Sequence, residues 1–515
     1  MKLKIQKAPR GNTRNGRGLI CENAGYFSVE APLKYTCILK TVAVSVTVGL
    51  LSACAVGPDY VRPELPQEER FIRQEAISSH SPAPQKTAEF WHSLGDPVLE
   101  RLVNAALVNN HDLRIAFANY QQANALLRGA RYDRLPTITA DTTAAEARDS
   151  ADQAPGVSRA DRDHSQYQGT IGFTWELDLF GRVRRSVEAQ RAETAASAED
   201  LVAMQVVVVS QLVRTYIQLR GWQEQLRIAQ ENADNQARTL QLLEVRYKAG
   251  MVTPFDVDRS RTQLESTRAR IPGLESEVAV ATHRIAVLAG KPPQALVAEL
   301  EVAAPLPALP QNVAADAPGD LLRRRPDVAA AERRLAAASA RIGVVTADLF
   351  PRFTLGGLIG TQAFDAGSLF ERDSEMRLLT LGVDGSFLNV GRVRARIAAS
   401  SAAEAGNLAA YERTVLIALE ETENALVQVS RSGRQSVHLK QAALAGSRAS
   451  GMARMRYEQG SIDVLELLDA ENARLQTEDA FAQGRVRNAL AIVSLYQAMA
   501  GGWPGIEPYG NIAKR

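Results

Sequence analysis

Between Gly181 and Thr253 the chain has no proline, and between Gly391 and Leu468 it again has none. Ala, Leu, Val, Glu, Gln and Arg dominate both stretches, which reads as helix. At about 1.5 Å per residue, sixty-odd residues make a rod of roughly 100 Å. A rod of that length cannot be buried in one globule and must pack along other rods. Heptad-like apolar spacing at Leu201, Met204, Val208, Leu212 and Tyr216 supplies such a packing face.

The two stretches are copies. Asp133-Arg134-Leu135-Pro136 is answered by Asp348-Leu349-Phe350-Pro351, Gly181-Arg182-Val183-Arg184 by Gly391-Arg392-Val393-Arg394, and Arg246-Tyr247-Lys248-Ala249-Gly250 by Arg456-Tyr457-Glu458-Gln459-Gly460. The offset is 215 for the prolines and 210 for Gly181 to Gly391 and for Gly250 to Gly460. Three landmarks in one order at near-constant spacing define a tandem duplication. Each unit reads as a helix stopped by proline, a strand pair, a very long helix, a Gly break and a second long helix. The expected organisation is a leader over 1–53, an extended segment over 54–95, a first repeat over 96–305, a second over 306–503 and a tail over 504–515. Within the repeats, strand pairs fall at about 136–180 and 351–388, a helix at 326–349, and long helices at 181–290 and 391–500.

The strands alternate. From Ile171 to Leu179 every odd position is apolar and every even one small or polar, and Leu379 to Phe387 repeats the parity. Phe353, Leu355 and Ile359 alternate with Arg352, Thr354 and Gly360. Period two gives one apolar and one polar face, which suits a soluble sandwich or a membrane barrel equally. After the leader, no apolar run reaches the eighteen or so residues of a membrane helix, so any crossing is by strands. Four strands per chain cannot close a barrel, and an open edge in lipid leaves backbone groups unsatisfied. A barrel built this way is shared between subunits, and three chains would supply twelve strands.

The N-terminus carries an address. Lys34 and Lys40 precede an apolar run from Thr41 to Ala53 that has the length of a signal-peptide core. It ends in Leu51-Ser52-Ala53-Cys54, which resembles the bacterial lipobox, with Cys54 as the residue that takes the lipid. Ala55 is not the Asp that resembles an inner-membrane retention signal, which favours the outer membrane. Residues 1–33 read as an over-long leader, and Cys21 and Cys37 would leave with it. No cysteine follows Cys54, so no disulfide framework or zinc site can be built downstream. With 60 basic and 58 acidic residues the net charge is +2, which gives no reason to expect a nucleic-acid partner. GxSxG, HExxH, P-loop and Cys–His signatures are all missing, so a lipid-anchored enzyme is not indicated.

The segments CAVGPDYVRPELP, FWHSLGDPVLERLV, LLRRRPDVAAAERRL, ADLFPRFTL and RYEQGSIDVLELLDAENARLQ together resemble the TolC-like outer membrane factors, of the lipoprotein OprM/NodT type, from Cys54 to about Trp503. The resemblance implies a mixed α and transmembrane β fold: a homotrimer with a twelve-stranded β-barrel, a long periplasmic α-barrel, and a belt around Lys291–Asp320 with both chain ends. It implies no cofactor, no metal and no catalytic site. The implied partners are a periplasmic adaptor and an inner membrane transporter of the RND type, with drugs or other small toxic solutes exported. Type I protein secretion and heavy-metal efflux are the alternatives. It further implies that the periplasmic helix tips close as an iris near the turns at Gly250 and Gly460. Leu465 then matches an apolar ring, Asp469 an acidic ring beside Glu466, and Tyr457 and Asp256 the positions that tie neighbouring helices together. Ile462 stands where some members carry an arginine, so that salt bridge cannot form here. Glu420, Glu421 and Glu423 suggest a metal cluster but lack nitrogen partners at useful spacing, and read as a solvated helix face.

Overall fold

The computed structural model describes residues 55–64, 70–72, 90–310 and 318–499. The leader, Cys54 and the 504–515 tail lie outside the described residues. The elements fall into two runs of the same order. The first is α1 (Pro97–Asn109), α2 (His111–Tyr132), β1 (Thr137–Arg148), β2 (Asp163–Leu177), α3 (Arg182–Lys248) and α4 (Pro254–Leu288). The second is α5 (Pro318–Arg324), α6 (Pro326–Thr346), β3 (Arg352–Ala363), β4 (Glu375–Asp384), α7 (Val390–Glu458) and α8 (Val464–Met499). The described part of the 291–320 segment is short helical turns and extended chain.

The long helices form where proline is absent, and α3 and α7 run 67 and 69 residues, about 100 Å each. Both end in the same turn. Met251 N–H reaches back to Arg246 O and Ser461 N–H to Arg456 O, each at 2.9 Å, with Gly250 at φ +70° and Gly460 at φ +72°. This is the six-to-one closure that needs a left-handed residue, and glycine takes it without cost. Thr253 then caps α4 in a capping box with Asp256.

The core lies where α3 crosses the ends of α4 and α8. Leu201, Leu212, Tyr216 and Leu219 of α3 are fully buried against Ile285 and Leu288 of α4, Val493 and Leu495 of α8, and Leu99, Leu102 and Trp91. The heptad-like positions of α3 are therefore its packing face, with Met204 partly buried at the edge. One eighteen-residue window of α3 has a mean hydropathy of 1.4, apolar enough by length and composition to cross a membrane, and half of it is buried. Its apolarity is that of a core helix wrapped on several sides, which a search for uninterrupted apolar runs does not register.

Asp96 ties this core together. Its carboxylate caps α1, accepting from Val98 N at 2.9 Å and Leu99 N at 3.0 Å, and also accepts the Tyr216 hydroxyl at 2.7 Å. Burial, reinforced by that bond, pushes the Tyr216 hydroxyl up to about 12. Asp96→Ala is expected to cost about 2 kcal/mol, a lost cap plus a buried hydroxyl with one partner fewer. Asp96→Asn should recover most of the cap, and thermal denaturation of the two variants distinguishes these contributions.

The four strands form one antiparallel sheet in the order β1-β2-β3-β4, so β1 and β4 each leave one edge unpaired. β4 stops at Asp384, and Gly385–Leu388 turn as 3-10 helix, because the Asp384 carboxylate accepts Ser386 N–H at 2.7 Å and bends the chain. The alternation read as far as Phe387 therefore ends three residues earlier. β2 likewise ends at Leu177. The Asp178 carboxylate accepts the N–H groups of Val183 and Arg184 at 3.0 and 2.8 Å and starts α3.

Candidate functional site: the sheet and the helix tips

The register assigns every strand residue a face. Ile138 pairs with Phe173, Phe173 with Gly357, and Gly357 with Leu379, while Ile171 pairs with Ile359 and Trp175 with Leu355. These rows put Ile138, Ile171, Phe173, Ile359, Leu379, Leu381 and Val383 on one face, with Arg377 among them beside Ile359. Ile138, Ile359 and Leu379 are 65–73% exposed in the single chain, an apolar surface no soluble fold leaves open over four strands. The opposite face carries Thr139, Asp141, Thr170, Thr174, Thr354 and Thr380. From Tyr167 to Leu177 the apolar face spans ten residue steps, roughly 33 Å of strand. At the tilt of a membrane barrel that is a band about 25 Å tall. Trp175 and Phe353 sit at its helix-side margin and Tyr167 at the other, the placement of interfacial aromatic girdles.

Just below the sheet, the segment after Cys54 lies as a strap across both repeats. Val56 N–H donates to Phe180 O at 3.2 Å. Arg185 of α3 bonds Asp59 at 2.6 Å, and Glu332 of α6 receives Arg62 at 2.8 Å and the Tyr60 hydroxyl at 3.2 Å. Gly57, at φ +95°, lies directly on Gly343 of α6. Further on, Ile72 N–H donates to Glu423 at 2.7 Å, and Arg325 pairs with Glu421 at 2.7 Å. Two of the three glutamates read as solvated surface thus hold chain together, Glu423 at Ile72 and Glu421 at the start of α6. The signal available in the sequence was the run of Gly, Pro and charged residues in AVGPDYVRP, which fits strap rather than helix or strand.

At the far end, Leu243, Val257, Tyr457, Val464, Leu467 and Leu468 form a small apolar cluster that pins the two helical hairpins together. Ile462 packs against it, an apolar contact where a charged residue would find none. Tyr457 is buried, with the Arg246 guanidinium 4.5 Å above its ring. Its hydroxyl has no hydrogen-bond partner among the described residues. Asp256 does not reach it: that carboxylate accepts Thr253 N–H at 2.9 Å and the Thr253 hydroxyl at 2.7 Å. Leu465 is 41% exposed, and Glu466 and Asp469 are exposed on the same side of α8. Asp469 is bonded to Arg259 of α4 at 2.8 Å. Tyr457→Phe is expected to change the stability of the chain by less than about 1 kcal/mol, since no hydrogen bond among the described residues is lost. A urea melt of the two proteins checks this.

The sequence reading did not find Arg259, nor the other polar contacts between α4 and α8. Gln263 bonds Asn472 at 3.3 Å and Arg270 bonds Asp479 at 2.6 Å. The signal was present: these pairs are 210, 209 and 209 residues apart, the spacing of the repeat itself. Equivalent helices of the two copies therefore run side by side in parallel.

A membrane-facing sheet continuous with paired rods of this length defines an outer membrane duct. The family model for "Outer membrane efflux protein" matches residues 102–291 and again 317–501, and the chain belongs to that family. Outer membrane protein OprJ of Pseudomonas aeruginosa is 31% identical over 458 residues, spanning 88% of this chain and 94% of that one. The toluene efflux pump outer membrane protein TtgF of Pseudomonas putida is 30% identical over 478 residues, spanning 91% and 98%. A solved structure of the outer-membrane channel OprN is similar with a TM-score of 0.81 at 37% identity, over 87% of this chain and 99% of that one. The protein is an efflux channel of the outer membrane, a transport duct and not an enzyme.

Proposed function

We propose that this chain is one of three identical subunits of the exit duct of a tripartite pump. The carrying observation is the four-stranded sheet with an apolar outer face and two unpaired edges. In hydrocarbon those edges must be satisfied, and three copies would join them into a closed barrel of twelve strands. The long helices α3, α4, α7 and α8 then continue the wall inward as a periplasmic tube. Its inner end narrows at the turns of Gly250 and Gly460, with Leu465, Glu466 and Asp469 lining the constriction and Tyr457 and Asp256 supporting it. Cys54 carries the lipid, and the strap of residues 55–62 sets where that anchor meets the wall. A periplasmic adaptor and an RND-type inner membrane transporter complete the pump. The relative named for toluene efflux favours small apolar toxic solutes as cargo.

The test is deletion of the gene and complementation. Loss is expected to sensitise cells to solvents, dyes or antibiotics, and the wild-type chain to restore resistance. Susceptibility that stays unchanged across these classes, in a strain lacking other such channels, contradicts the proposal.

A further inference from the structure

The α4–α8 seam carries an asymmetry that the duplication itself did not supply. Arg259 and Asp469 are equivalent positions of the two repeats, separated by the same 210 residues as the tip turns at Gly250 and Gly460. One copy is basic and the other acidic, and they bond each other at 2.8 Å. Two further contacts, Gln263 with Asn472 and Arg270 with Asp479, fix the helices in the parallel register that makes this meeting possible. Arg259 follows the cap of its helix by little more than one turn, and Asp469 is likewise in the second turn of α8, where both helices are held by the apolar cluster beneath. The pair is open to solvent, with side-chain exposures of 38% and 64%. A pair so exposed adds little to stability, so its substitution leaves the fold intact. Its consequence is electrostatic: a carboxylate beside a fixed guanidinium presents almost no net charge to a passing ion.

We propose that Arg259 is the specificity-setting residue of the duct: it neutralises Asp469, so that each subunit brings one free carboxylate, Glu466, and not two to the constriction. This rests on the placement of the constriction at the helix tips. Glu466 lies on the flank of α8 turned away from the Asn472 and Asp479 side that meets α4, and it has no ion-pair partner among the described residues. A threefold ring then carries half the negative charge that its acidic residues suggest. Rings of charge of this kind set ion preference in pores.

The test is a set of reversal potentials across planar bilayers in a KCl gradient, measured on the full-length purified protein. Heat-modifiable assembly on gels confirms that each variant is folded. Arg259→Gln is expected to raise the K⁺ to Cl⁻ permeability ratio by about threefold, because three carboxylates are unmasked. Asp469→Asn should lower it, since it leaves three guanidinium groups uncompensated. The double substitution Arg259→Gln with Asp469→Asn should return to the wild-type ratio, and Arg259→Lys should stay near it. An unchanged ratio in Arg259→Gln, with the double variant matching Asp469→Asn alone, overturns the neutralisation while leaving the constriction in place. A ratio that no variant moves overturns both the neutralisation and the placement of the constriction at the tips.

Discussion

Leu379→Arg is expected to impair insertion and assembly of the duct, by adding a second cation to a face that already carries Arg377, whereas Leu378→Arg, one residue away, is tolerated. The two leucines are neighbours in β4, both exposed in the single chain at 73% and 54%, and similar in every compositional respect. They differ in face. Leu379 shares its row with Gly357, Phe173 and Ile138, one row from Arg377 near the middle of the band, while Leu378 pairs with Leu358 and Gly172 on the threonine-bearing side. An arginine facing hydrocarbon near the bilayer midplane costs about 2–4 kcal/mol per copy, and in the water-filled interior far less. Since the closed wall contains every copy at once, the cost is multiplied by the number of chains. Heat-modifiable assemblies in outer membrane fractions read the result directly. Equal tolerance of both arginines is the outcome incompatible with a lipid-facing sheet.

The second large effect concerns the strap. A Cβ placed on Gly57 would meet Gly343 Cα at 2.5 Å, and the φ of +95° is one that side chains rarely adopt. Gly343 is itself in close contact with the Arg185 side chain, 2.9 Å from where its own Cβ would stand. Gly57→Val combines a left-handed backbone penalty of about 1–2 kcal/mol with overpacking of about 1–3 kcal/mol. The expected total is about 3 kcal/mol, enough to release residues 55–62 from α3 and α6. Limited proteolysis with chymotrypsin should then cut after Tyr60, whose hydroxyl in the wild type is held by Glu332. Asp59→Ala, which loses one partly exposed ion pair, should have a much smaller effect.

Much of the architecture was legible because it is written in long-range periodicity. Proline-free stretches gave α3 and α7 nearly to the residue, and the 210-residue offset gave two tip turns that close with the same bonds. β2 and β3 were readable from alternation. β1 was the hard strand, since Thr137–Arg148 is mostly threonine and alanine. Beyond Ile138 its apolar-side positions are Ala140, Thr142 and Ala144, so its two faces differ little in hydropathy. Strand ends were misplaced where a single aspartate, Asp178 or Asp384, turned the chain by capping what followed. Side-chain partners at the tips were not legible from one element at a time. Asp469, matched to an acidic ring by resemblance, has its partner Arg259 in the other repeat, and Asp256 is engaged by the cap of its own helix. Each is a choice among several equally spaced charges, which periodicity does not rank and geometry does.

The unpaired edges of β1 and β4 admit the most direct test of the whole account. Cysteine is placed at Thr142 in β1 together with Arg377, Leu379 or Leu381 in β4, positions that face the same side of the sheet, and outer membranes are oxidised before denaturing electrophoresis. Closure of the wall between copies predicts a ladder of covalent dimers and trimers for at least one pair, reversed by reductant and missing from each single-cysteine control. Monomers alone from all three pairs, in membranes where the protein is folded and abundant, would contradict it.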